Sequence, residues 1–377
     1  MDGEASMKAN QIRQLSFNKY CILLALFFIF SSGIAHAKVK GQCSNCHTMH
    51  NSENGSVLIT SGPNQALLRQ DCVGCHTGDN EASDGASSAN GTPFVHYTEG
   101  VDHYGETGTE VTSSTLAGGT FHFIETLPAT GHNVAGIDKT GGAGIIPPGY
   151  NPDLPYSAGA IPGDGTWDTQ QITCAGIYGC HGTHDTENQF IAVRGGHHQG
   201  VNGGKIEPVN NDAASGYRML VGIAGYEDSD WEYRPDSSNH NQYRGSTTPG
   251  QTADQSTISY LCAQCHGQFH SPIENISNLV DGGSPWLRHP TEYSMVNSGE
   301  YANYGGNDNS YQVATPLASS STHNVDVVST IGFTNDSIVT CISCHRAHGS
   351  PYYKLMRWDY AGDSSGGLCV NCHTSKS

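Results

Sequence analysis

Only one stretch of this chain is continuously apolar. Tyr20 to Phe30 forms a run of about 11 residues, behind Lys8, Arg13 and Lys19 and ahead of Ala35-His36-Ala37, the layout of a secretory signal peptide cleaved after Ala37. The run is shorter than the roughly 20 residues a bilayer span needs, and no other apolar stretch reaches that length. Residues 1–37 are therefore expected to be a signal peptide, which Cys21 leaves with, and residues 38–377 to be exported as one domain without a membrane span.

Beyond the signal, long tracts of Gly, Ser, Thr and Asn separate short clusters of apolar residues. These predict little regular structure: short helices such as Asn64 to Cys72 and 351–359, where Tyr352, Tyr353, Leu355, Met356 and Trp358 could cover a flat apolar group, and occasional strands such as Thr120 to Thr126 in small hairpins. The rest is expected to be coil. With 47 glycines and 36% hydrophobic residues, an exported chain of this size would struggle to build a conventional core. Something other than side chains must fill the interior.

The cysteines say what. They fall in six pairs, each with a histidine directly after the second member: Cys43/Cys46/His47, Cys72/Cys75/His76, Cys174/Cys180/His181, Cys262/Cys265/His266, Cys341/Cys344/His345 and Cys369/Cys372/His373. Five have the spacing C-x-x-C-H, in which both thiols add to the haem vinyl groups and the imidazole becomes the proximal iron ligand. An even number of exported cysteines also suits a disulfide scaffold. With 20 histidines in 377 residues, however, six such histidines by chance is an event of about one in ten million or less. Zinc ribbons pair C-x-x-C units but have no use for a histidine after every one.

The third pair is separated by Ala-Gly-Ile-Tyr-Gly, where Gly176 and Gly179 let the chain loop outward and return the thiols to vinyl separation. A disulfide beside a structural histidine is the alternative there. Six haem c groups give roughly 57 residues of mature chain per haem, so the macrocycles themselves would form the spine that the chain wraps.

A second histidine follows three or four residues after the proximal one at four sites: His50, His184, His270 and His348. One turn along the same segment it cannot reach the opposite face of its own haem, so it serves another haem or none. His132, His289 and His323 complete seven candidates for six distal positions. His96, His103, His122, His197, His198 and His240 rank behind these, and Met49 lies too close to His47 to turn back. Irons held by two imidazoles would be low-spin and closed to substrate, so no catalytic residue is assigned. The formal charge is −18, and removing a signal of net +1 leaves −19, which argues against nucleic acid and anionic membranes as partners.

Cys43-Ser-Asn-Cys-His-Thr-Met-His-Asn-Ser52, Gly131-His-Asn, Leu287-Arg-His-Pro290 and Cys341-Ile-Ser-Cys-His-Arg-Ala-His348 occur in an order that resembles the OmcS-like family, filament-forming hexahaem cytochromes of the outer cell surface. The likeness covers nearly the whole mature chain in order of elements, while intervening segments differ and the third site departs from the family's C-x-x-C-H. The resemblance implies a head-to-tail homopolymer with stacked and T-shaped haem pairs, in which the residue matching His50 ligates a haem of the adjacent subunit. The function expected is electron transfer at or beyond the cell surface, with redox partner cytochromes and extracellular acceptors or donors. Its rivals are a monomeric periplasmic shuttle or conduit cytochrome and a multihaem oxidoreductase, against which the lack of a C-x-x-C-K site speaks.

Overall fold

The computed structural model describes residues 41–80, 91–97, 115–138, 147–148, 170–198, 205–206, 213–248, 250, 253–267, 289–306, 308–321, 327–362 and 366–375. All lie within one compact unit, Lys38–Ser377.

The helices are short, and three of the four among the described residues carry a cysteine pair. Helix α1 (Cys72–Cys75) is started by Asp71, whose side chain accepts from Gly74 N, and α2 (Gln189–Ala192) by Asn188, which accepts from two backbone amides. The longest, α3 (Ile258–His266), carries Cys262 and Cys265, is capped by Thr257 and ends at Gly267 with φ 56°. A reciprocal box between Thr340 and Ser343 opens α4 (Cys341–Cys344). Each such cap contributes about 1 kcal/mol, appreciable for helices of one turn that cannot sustain themselves. Cys43–Asn45 and Gly367–Asn371 are 3-10 turns.

Ser52–Glu53 (β1) and Ser56–Val57 (β2) form a hairpin around Asn54-Gly55, both at positive φ, the turn that matches strand twist. Thr173–Ala175 (β3) pairs in parallel with Gly179–His181 (β4), closing the third motif into an arch. Six further strands of two or three residues make one sheet: Lys205–Ile206 (β5), Gly225–Tyr226 (β6), Gln242–Arg244 (β7), Tyr293–Ser294 (β8), Ala318–Ser319 (β9) and Ile338–Val339 (β10), in the order β5-β6-β7-β9-β10-β8. Among the described residues no helix is long and apolar enough to cross a membrane.

The coil-rich architecture with short helices and a minor hairpin is the one expected, but three local expectations fail. Asn64 to Cys72 is not one helix: Gln65–Leu67 is a 3-10 turn broken by Ala66 and Leu67 at φ 54° and 53°. Residues 351–359 hold only a turn at Tyr353–Leu355, broken in the same way by Lys354 and Leu355. Thr120 to Thr126 is no strand, because Phe121 and Ile124, three apart, enter one apolar cluster through the 3-10 turn His122–Glu125.

Apolar packing is divided among three small clusters, each abutting a motif cysteine. Tyr217, Leu220, Tyr243, Ile258, Leu261 and Ile342 pack beside Cys180; Met295, Tyr304, Tyr311, Leu317 and Ile331 beside Cys372; Phe121, Ile124, Val134 and Ile137 beside Cys174.

Candidate haem centres

A histidine that binds a metal through Nε2 is oriented by a hydrogen bond at Nδ1. All six motif histidines have that bond. Nδ1 of His47 meets Ala66 O at 2.8 Å, His76 meets Pro93 O at 2.7 Å, His181 Arg218 O at 2.9 Å, His266 Pro148 O at 2.9 Å and His345 Lys354 O at 2.8 Å, while His373 meets the Glu300 carboxylate at 2.9 Å. In every case the bond is made at Nδ1, the arrangement that directs Nε2 toward a metal.

At sites one, three and five the accepting carbonyl belongs to the first of two successive left-handed residues: Ala66-Leu67, Arg218-Met219 and Lys354-Leu355. Residues other than Gly and Asn rarely adopt this conformation. Each pair is tied to its motif by the backbone, Thr48 N, Gly182 N and Arg346 N donating to Leu67 O, Met219 O and Leu355 O. These clamps explain the two broken helices: a continuing helix would have spent the carbonyl on its own backbone. Sequence reading missed them; the visible signal is an apolar residue at the second clamp position and another directly after it, Leu67-Leu68, Met219-Leu220 and Leu355-Met356.

Five motif imidazoles face the neighbourhood of a second imidazole. Ring centres lie 6.1 Å apart for His47 and His198, 6.3 Å for His76 and His197, 6.3 Å for His181 and His348, 6.1 Å for His266 and His132, and 6.0 Å for His373 and His289. With metal–nitrogen bonds of about 2 Å and a ring centre roughly 1 Å further back, one metal shared by two imidazoles separates their centres by about 6 Å. Nδ1 of His132 and His289 is bound to Ala347 O and Pro290 O, the same arrangement. Burial holds His76, His132, His181, His289 and His345 below the usual imidazole range and takes His348 to about 3. Neutral imidazole is the form that ligates iron.

The distal candidates thus divide. His132, His289 and His348 stand opposite motif histidines. His184 does not: it is part-buried, held near the Cys180 backbone and the Gln264 side chain. His50 is exposed beside Met49, itself 81% exposed, with no described motif imidazole opposite it. His270 and His323 lie outside the described residues, as does His103. His197 and His198, ranked low on sequence, cap sites two and one because the 3-10 turn Gly196–His198 presents adjacent residues to adjacent sites. His96 is satisfied by Glu125 and Thr77, His122 by Tyr97 O, and His240 stacks on Tyr311 at 3.7 Å.

The third motif holds its wide spacing through the β3/β4 arch. Gly176 takes φ 90°, and a Cβ on Gly179 would stand 2.5 Å from Ala175 N. Gln189 Oε1 accepts from Cys174 N at 3.0 Å, from Ala175 N at 3.2 Å and from Cys72 Sγ at 3.9 Å, which joins sites two and three.

The mutual influence of the thiols orders the remaining sites. Burial and then repulsion from Cys46 push Cys75 up to about 11. Cys72 and Cys174 share a hydrogen bond that lowers the first and raises the second. Cys265 is raised by burial and by Cys180, and Cys262 by a hydrogen bond with Cys341. Burial, then Cys372 and Cys369, push Cys344 up to about 12. The thiols of each motif thus lie near enough to those of the next motif in chain order to perturb them.

Cysteine pairs, each followed by an oriented imidazole, are the arrangement by which a chain holds haem of the c type. The model for the doubled CXXCH motif matches residues 36–81 and 334–377, the paired sites at either end. The chain is homologous to C-type cytochrome OmcS of Geobacter sulfurreducens, 25% identical over 403 aligned positions that cover 89% of this chain and 82% of that one. Of the solved structures, the Outer Membrane Cytochrome S filament from the same organism aligns with 88% of each chain at 21% identity and a TM-score of 0.39. The OmcS nanowires align with 90% of this chain and 100% of theirs, at 18% identity and a TM-score of 0.43.

Proposed function

We propose that the exported chain, residues 38–377, is a hexahaem electron conductor that polymerises head-to-tail at or beyond the cell surface. Thioethers form at Cys43 and Cys46, Cys72 and Cys75, Cys174 and Cys180, Cys262 and Cys265, Cys341 and Cys344, and Cys369 and Cys372. The observation that carries the reading is the set of five imidazole pairs about 6 Å apart, one at each motif except the fifth. We assign the axial pairs His47/His198, His76/His197, His181/His348, His266/His132 and His373/His289, with His345 as the proximal ligand of site five. We assign His50 to a haem of the neighbouring subunit.

The haems supply one-electron exchange between Fe(III) and Fe(II). The chain supplies order, spacing and closed coordination, so electrons pass from haem to haem and no substrate is converted. Redox partner cytochromes and extracellular acceptors or donors are the partners this role requires. Homology to OmcS, a protein whose solved assemblies are filaments and nanowires, supports the polymer.

The test is the mass and spin state of the secreted protein. A polypeptide starting at Lys38 with six added haems, all low-spin by electron paramagnetic resonance, is expected. Fewer haems, or a predominantly high-spin spectrum, overturns the assignment.

A second expectation separates the two ligands that sequence reading ranked low. His197→Ala converts one haem to high-spin and His198→Ala a different one, each without loss of haem mass because the thioethers are untouched. If both single variants remain fully low-spin, neither residue is an iron ligand.

A further inference from the structure

One buried acid has no part in the ligand scheme. Glu292 is 0% exposed and takes φ 52°, an unusual conformation for a non-glycine residue, and conformations of this kind are retained where the surroundings over-determine them. Its Oε2 accepts from Ser246 N at 2.5 Å, while Oε1 is buried with no hydrogen-bond partner. An ionised carboxylate in that position carries an unsatisfied charge in a low-dielectric interior, whereas the neutral acid does not.

The location gives this acid a task. Its backbone N donates to Val339 O at 2.7 Å, at the end of the strand that leads into α4. Ser259, one turn ahead of Cys262 on α3, interacts with the Glu292 side chain, and the Ser259 hydroxyl accepts from Cys341 N at 3.4 Å. Glu292 therefore stands where the fourth and fifth motifs meet. The groups facing it are Ser246 after β7, Ser259 of α3, Cys341 of α4 and, further off, Asp254, which Arg244 holds at 3.1 Å. No basic side chain is among the largest influences on it. Burial pushes the carboxyl up to about 7, with contacts from Ser259 and Ser246 opposing the rise and Asp254 adding to it; Cys341, once a thioether, carries no charge.

We propose that Glu292 is a proton-binding site coupled to electron transfer: it takes up one proton when a haem at site four or five is reduced and releases it on oxidation. The inference rests on haems being bound at those two sites. The balance is one electron delivered to the haem at site four or five by its redox donor, which would take that iron from Fe(III) to Fe(II), and one proton from solvent onto the carboxylate, so the interior gains no net charge. Reduction removes a positive charge near the acid and raises its proton affinity. The potential of the coupled haem then falls as pH rises through the region around 7 and levels off on both sides, where the acid is protonated, or ionised, in both redox states.

The experiment is a spectroelectrochemical titration of the haem-loaded protein from pH 5.5 to 8.5, wild type against Glu292→Gln. Each tenfold change in proton activity converts to at most about 59 mV for a one-electron couple. One or two wild-type components are expected to show part of that slope near pH 7, and the variant to lose it there with its haem content unchanged. An independent readout uses wild type alone: a protonated-carboxyl stretch in the reduced-minus-oxidised infrared difference spectrum that shifts in deuterated water. An equal slope in both proteins, or no such carboxyl band, overturns the assignment of Glu292 while leaving the haem reading intact. Missing haem at sites four and five in the wild type removes both.

Discussion

Replacing His50 by alanine is expected to leave six haems on each polypeptide, turn one haem per subunit high-spin, and abolish filaments. Mass is untouched because His50 forms no thioether. The spin change follows if the imidazole lost belongs to an iron of the next subunit, since that iron falls to five-coordination or takes up water. Assembly fails because a head-to-tail contact that does not close propagates only while each interface holds, and the variant removes the metal–imidazole bond from every interface at once. The surroundings of His50 suit a contact made on assembly: it is exposed on the same turn as Cys46 and His47, beside Met49 and close to the β1/β2 hairpin with its exposed Val57. Added free imidazole should restore the low-spin spectrum without restoring filaments, which separates ligation from bridging. Unchanged spectrum and unchanged assembly in the variant would remove His50 from the scheme and favour the monomeric carrier.

What the sequence revealed, and what it hid, follows from the range of the bonds involved. Thioether attachment and proximal ligation use residues a few positions apart, so Cys72, Cys75 and His76 announce a site by themselves. The opposite imidazole has no such constraint. His348 stands beside site three although it follows the fifth motif, and His132 stands beside site four although it precedes the third; only packing decides that. His197 and His198 carry no spacing relation to sites one and two, and for that reason ranked low, while His184 sits at the favoured offset and faces Gln264 instead. The arch at site three was foreseeable from Gly176 and Gly179, because flexibility at those positions is the only way a five-residue insert can return the thiols to each other. The left-handed pairs at Ala66, Arg218 and Lys354 were not, since propensity favours helix at all three and the demand comes from a distant histidine ring. The six-stranded sheet is built from strands too short to leave an alternating pattern.

A single added methyl group at Gly349 is expected to reach two haem sites at once. Three segments cross there: Thr120 N donates to Gly349 O at 3.0 Å, His132 N to His348 O at 3.1 Å, and Ser350 N to Thr130 O at 2.9 Å. Gly349 bridges to Gly119 on one side and to Gly131 on the other. A Cβ on Gly349 would stand 2.7 Å from Thr120 O, 3.0 Å from Thr130 O and 3.1 Å from Gly131 Cα, and backbone atoms on both sides cannot swing away as a flexible side chain would. Forced overpacking of this kind costs about 1–3 kcal/mol. The displacement matters more than the energy, because the residues on either side of the crossing are His348 and His132, the imidazoles opposite His181 and His266. Gly349→Ala should therefore disturb the third and fourth haems together, visible as two new high-spin haems per chain in one variant, while the signals of the other sites are retained. Gly55→Ala, at an open turn where nothing lies within 4 Å of the new Cβ, should leave all spin states as they are and controls for a glycine change as such. If Gly349→Ala keeps every haem low-spin, the crossing does not position these two ligands, and their placement must come from the apolar cluster of Phe121, Ile124 and Val134 that packs alongside.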